Sequence, residues 1–182
     1  MTKKITRGST YNDTMQWGTS EYRLLPCTLN ATAPVTIDCV GHGLVEDWPV
    51  SIENHPRIDE SETYPVHVID ADHLELTGVN GVKFAPTRSV VLRAAVPTDM
   101  SGYTARMHIR DKVGGTLLLE LTTENGGITL DNAAKKIHRT ISAEDTAALT
   151  VKKAVYDLEM VSGDYVIKID ADIFEIGNEV TV

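Results

Sequence analysis

Residues 98–110 constrain the fold of this chain more than any other stretch. After a turn from Asp99 to Gly102, the residues Tyr103, Ala105, Met107 and Ile109 alternate with Thr104, Arg106, His108 and Arg110. A period of two places the first set on one face of a strand and the second on the other. One face therefore belongs to a core and the other to water. The same theme continues downstream, strand after strand, with turns rich in Gly, Asn and Asp between them. Residues 116–122 read as a strand buried on both faces, because their leucines run on without alternation. Residues 128–130 and 136–141 form an expected hairpin closed by 131–134. Strands follow at 154–160, 165–169, 173–176 and 179–182, with a turn at 162–164. One short helix is predicted where Ser142 stands three positions before Asp145, a capping-box-like start to an alanine-rich run.

Upstream of residue 98 the texture changes. Residues 5–17 read as one strand whose apolar set is interrupted by Asp13. Residues 18–23 are polar and expected to be a loop, and 26–33 a connector. From Pro34 the strands become short: 35–40, 48–52, 63–69 and 73–77, with a charged loop at 54–62 and an Asn80–Gly81 turn signal. Short strands at that density imply a small barrel or open roll. Residues 89–96 then return the chain to its larger unit. The fold class is all-β.

Apolar residues make up 42% of the chain but aromatics only 5%, so any core must rest on Val, Ile, Leu and Ala. A net charge of −9 repels nucleic acid and anionic lipid, which excludes both as expected partners. The basic N-terminal residues have no apolar run behind them, so no secretory signal is read there, and no stretch reaches the length of a membrane span. Synthesis in a cytoplasm makes free thiols the expectation for Cys27 and Cys39, the two cysteines of the chain; a zinc site would lack its other ligands.

The residues that carry chemistry do not fall into a catalytic pattern. None of the six histidines sits in an H-x-x-x-H or H-x-x-E-H pair, and no nucleophile elbow or glycine-rich phosphate loop is present. His67 and His73 near Asp70 and Asp72 read as an Asp-rich turn between solvated strand faces rather than a metal cluster. Asp170, Asp172 and Glu175 echo a calcium loop weakly, on what should be a strand. Gly41 and Gly43 should supply positive φ around a locally packed or capping His42. No catalytic residue, cofactor or metal is expected. Trp17 and Trp48 read as core. The interface candidates are Arg7, Tyr22, Arg23, His55, Arg57, Arg106 and Arg110.

Residues 99–110 resemble the DLTGYTARMQIR signature of bacteriophage tail and baseplate proteins, in particular the N-terminal domain of lactococcal phage upper baseplate proteins. Residues 119–128, 141–148 and 155–159 fit the same pattern, and Arg7-Gly8-Ser9-Thr10 is similar to its RGDT opening with Ser9 in place of Asp. Residues 34–91 resemble a small β-module of phage tail proteins through Gly41-His42-Gly43-Leu44, Trp48-Pro49-Val50, Tyr64-Pro65-Val66 and residues 70–76. The segment 169–178 departs from the family in being longer and more acidic. The resemblance implies an immunoglobulin-like β-sandwich from residues 1–25 and 92–182, with 34–91 inserted as a small β-barrel-like module. It further implies a non-enzymatic virion component of a tailed phage, made in the host bacterial cytoplasm. That component would be a tail- or baseplate-associated connector that docks symmetrically, as a homo-oligomer among other virion proteins, and supports fibres or spikes. A capsid decoration or head–tail joining protein is the alternative. A receptor-binding or glycan-degrading module is a third, which would need paired carboxylates in a cleft.

Overall fold

The computed structural model describes residues 2–84 and 87–178. In chain order the strands open with β1 (Lys3–Thr6) and β2 (Tyr11–Gln16), separated by a turn in which Gly8 takes a φ of +79°. The single strand expected over 5–17 is thus two. Next comes β3 (Gly18–Asn30), a thirteen-residue strand where a loop and a connector were expected. Its polar first half carries no local strand signal; pairing with a distant strand holds it extended. Pro26 is tolerated because β3 pairs on one side only at that point.

The short strands β4 (Val35–Asp38), β5 (Pro49–Glu53), β6 (Tyr64–Val68) and β7 (His73–Leu76) follow, and then β8 (Arg88–Pro97). Together with β3 they close into a six-stranded barrel in the order β3-β4-β7-β6-β5-β8. The barrel therefore takes in residues 18–30 and 92–97 as its closing strands. Alternation sends Leu29, Ile37, Ile52, Leu74, Leu76 and Leu92 inward, around a buried Trp48 whose indole N–H donates to Ala95 O at 2.9 Å. At Gly18 a Cβ would lie 2.7 Å from the Trp48 ring, so glycine is what lets β3 pass beside it. The compact unit comprises residues 16–84, 87–99 and 133–135.

Cys27 and Cys39 lie in the barrel interior and are joined by a disulfide, which corrects the free-thiol expectation. The cause is register. β3 and β4 pair Thr28 with Asp38 and Leu29 with Ile37, so the next step of the ladder sets Cys27 opposite Cys39, with Cα atoms 4.6 Å apart.

The other unit comprises residues 2–15, 100–132 and 136–178. It contains β9 (Thr104–Arg110), β10 (Leu117–Thr122), β11 (Ile128–Asp131), β12 (Lys136–Ile141), helix α1 (Ala143–Ala148), β13 (Lys153–Ser162) and β14 (Tyr165–Gly177). A five-stranded sheet β1-β14-β13-β9-β10 faces a three-stranded sheet β11-β12-β2. The facing is shown by Tyr11 of β2 meeting Phe174 of β14 edge-on at 5.4 Å. β9 sits inside the larger sheet with Ala105, Met107 and Ile109 buried, as its alternation requires. β14 is one strand where two were expected. β10 corrects another expectation: only Leu121 of its leucines is buried, because the strand lies at the sheet's end and its register shifts between Leu117 and Leu119. Ser142 caps α1 as predicted, its Oγ accepting the Asp145 N–H at 3.0 Å. The strand expected at 179–182 lies outside the described residues.

Candidate interaction surfaces

The most concentrated set of charges was not anticipated. Arg139 of β12, 1% exposed, donates through one guanidinium nitrogen to Asp170 Oδ2 at 2.6 Å and through another to Asp13 Oδ2. Lys3 Nζ reaches Asp13 at 2.5 Å and Asp170 at 3.3 Å, and the Tyr156 hydroxyl donates to Asp170 at 3.1 Å. Burial pushes the Asp170 carboxyl up, but its bond from Arg139 and the nearby Lys3 and Arg139 charges outweigh that and hold it below its ordinary value. Burial, with the Asp13 charge, pushes the Tyr11 phenol up to about 12. Two carboxylates and two cations neutralise one another here, so the cluster ties strands together and offers no free acid or base. A signal existed in the sequence: Asp13 interrupts an inward-facing set, and a charge pointing into a core demands an opposite charge beside it.

The histidines are spoken for separately. His42 is buried; its Nδ1 accepts the Leu44 N–H at 3.0 Å and its Nε2 lies 2.8 Å from Asp70 O, while Gly41 and Gly43 take φ of +61° and +64°. This is the local capping role the spacing predicted. His67 pairs with Glu46 at 2.9 Å and His73 with Asp70 at 2.7 Å, and each hydrogen bond raises the imidazole pKa. These two histidines thus serve different acids. A cleft of about 420 Å³ in the two-sheet unit carries two carboxylates, Glu120 and Asp145. Glu120 is held by His108 at 2.9 Å, and Asp145 accepts from the Ser142 hydroxyl at 2.7 Å.

The seven interface candidates fall in separate places. Arg7 is occupied within its own unit: it donates to Leu149 O at 2.5 Å, to Thr150 O and Val151 O at 2.9 Å, and to Asn178 Oδ1 at 2.5 Å. Arg106 and Arg110 share the outer face of β9, where Arg106 pairs with Glu159 at 2.7 Å and Arg110 donates to Gly115 O. Tyr22 and Arg23 sit on β3. Tyr22 is 56% exposed and its ring is covered by Arg93 of β8 at 3.8 Å, with exposed Leu24 two residues on. Arg23 reaches His42 O at 3.4 Å. His55 and Arg57 lie on the loop after β5. His55 is buried against Phe84, ring centroids 4.8 Å apart, and burial together with the Arg88 and Arg57 charges lowers its pKa. Leu24 and Arg93 were missed because neither stands out locally; their juxtaposition with Tyr22 depends on β3 pairing with β8.

No family model matches the chain, and no curated protein matches it.

Proposed function

We propose that this protein is a non-enzymatic structural component of a tailed-phage virion, a tail- or baseplate-associated connector that docks symmetrically and supports fibres or spikes. The observation that carries the reading is the stretch 99–110, whose resemblance to phage baseplate proteins falls on β9, an interior strand of the five-stranded sheet. On this reading the two facing sheets are an immunoglobulin-like sandwich. The barrel would supply a second contact surface, and its exposed Tyr22 and Leu24, with the half-buried Arg93 stacked on the Tyr22 ring, give it the aromatic and arginine composition of interface centres. The engagement of both cleft carboxylates in local bonds favours a structural over a glycan-degrading role. Virion symmetry would multiply weak contacts from such surfaces into a stable assembly of this chain with other virion proteins.

Electron microscopy of intact virions labelled with an antibody against residues 34–91 tests this. Label at the tail tip or collar is expected. Label spread over the head would replace the connector with a capsid decoration protein, and absence of label with a demonstrably reachable epitope would remove the virion role.

A further inference from the structure

Arg57 of the loop after β5, with Asn80, Val82, Lys83 and Phe84, lines an open cleft of about 540 Å³. Its size lies within the range of pockets that bind small ligands and peptide side chains. Its charge is out of keeping with the rest of the chain. Arg57, Lys83 and Arg88 have no ion-pair partner among the described residues, in a protein of net charge −9. Two of the loop's three acids are engaged in local bonds: Glu60 accepts the Asn54 N–H at 2.8 Å, and Asp59 accepts from Ser61 at 2.9 Å and 2.6 Å. After burial, the charges of Arg88 and Arg57 lower the His55 pKa, which places both cations near this ring.

The remaining lining is apolar. Val82 is 68% exposed, and Phe84 is backed by the buried His55 ring, which fixes the aromatic wall. Asn80 Oδ1 accepts the Val82 N–H at 3.0 Å, which leaves the Asn80 amide hydrogens to donate to a bound carbonyl. Uncompensated cations around an apolar wall fit a ligand that carries carboxylates beside a hydrophobic side chain. A compact anion such as phosphate would use the cations and leave the Val82 and Phe84 surface wet.

We propose that this corner of the barrel is a binding site for an acidic peptide segment of a partner protein, in which Arg57 and Lys83 receive carboxylates flanking an aromatic or aliphatic residue seated on Val82 and Phe84. Arg88 adds to the field, and Asn80 holds the peptide backbone. The site stands whether or not the protein belongs in a virion.

The test is fluorescence anisotropy of the intact protein with a labelled Glu-Asp-Phe-Glu-Asp peptide, against Gln-Asn-Phe-Gln-Asn and Glu-Asp-Ser-Glu-Asp controls. The acidic aromatic peptide is expected to bind about tenfold tighter than either control, with affinity falling as salt rises. Arg57→Glu with Lys83→Glu should weaken it by about tenfold or more, while Lys152→Glu in the other unit leaves it unchanged. Unaltered circular dichroism guards against misfolding, and should the double variant misfold, Arg57→Gln and Lys83→Gln singly are each expected to lose about threefold. Equal binding of the neutral peptide, or indifference to both substitutions, would overturn the site. Inorganic phosphate displacing the peptide at equal concentration would reduce it to a general anion sink and overturn the peptide assignment.

Discussion

Arg139 of β12 donates to Asp170 of β14 at 2.6 Å and so joins the three-stranded sheet to the five-stranded one. The pair is a link between layers, and its consequences differ for each partner.

Removing the guanidinium leaves Asp13 and Asp170 sharing the single charge of Lys3 in a partly buried site, with the Tyr156 hydroxyl still donating to Asp170. Arg139→Met should therefore destabilise the two-sheet unit by about 3 kcal/mol, read as a lower midpoint in urea unfolding. A change within experimental error would mean the cluster is solvated and structurally idle.

Acid should weaken the same link. The folded Asp170 carboxyl is held below its ordinary value, whereas the unfolded one titrates at about 3.9. Its contribution is complete above that unfolded value and is lost as pH falls from there through the folded pKa. Asp170→Asn should be less stable near neutrality and show a flatter acid limb; an acid limb parallel to that of the unmodified protein would refute the assignment.

The Cys27–Cys39 bond can be checked by thiol titration in denaturant without reductant, for which no free thiol is expected. Reduction should then lower barrel stability by about 3 kcal/mol, the entropy of closing so short a loop. Two titratable thiols in the unreduced protein would show the pair to be open.

His42 joins two loops of the barrel through Leu44 N–H and Asp70 O. His42→Ala strands the buried Leu44 N–H and removes the partner of the part-buried Asp70 carbonyl, and should cost about 2 kcal/mol, measured as a drop in the thermal midpoint. Exchange protection of the Leu44 amide should fall with it; retention of both would assign His42 to packing alone.

Alternation along the chain was enough to read the all-β class, the faces of β9, the presence of β13, the hairpin of β11 and β12, and the Ser142 cap. Each of these depends on residues a few positions apart: a period of two, a turn, or a side chain reaching its own backbone. Gly41 and Gly43 around His42 were legible for the same reason.

What the tertiary structure decided is everything that depends on partners distant in sequence. β3 looks like a loop because its extended form is supplied by β8, some seventy residues away in the chain. The three leucines 117–119 look like a buried strand, yet β10 has a neighbour on one side only and its register shifts between Leu117 and Leu119, so Leu117 is exposed and Leu118 and Leu119 are half-buried. The cysteines look free if a cytoplasm is expected, while the β3–β4 register sets them opposite each other. The charges of Lys3, Asp13, Arg139 and Asp170 are ordinary in the sequence and form one cluster only after sheet pairing and sheet facing are complete. Local conformational preference is written in neighbouring residues; burial, charge neutralisation and the basic corner around Arg57 and Lys83 arise from distances that only the folded chain sets.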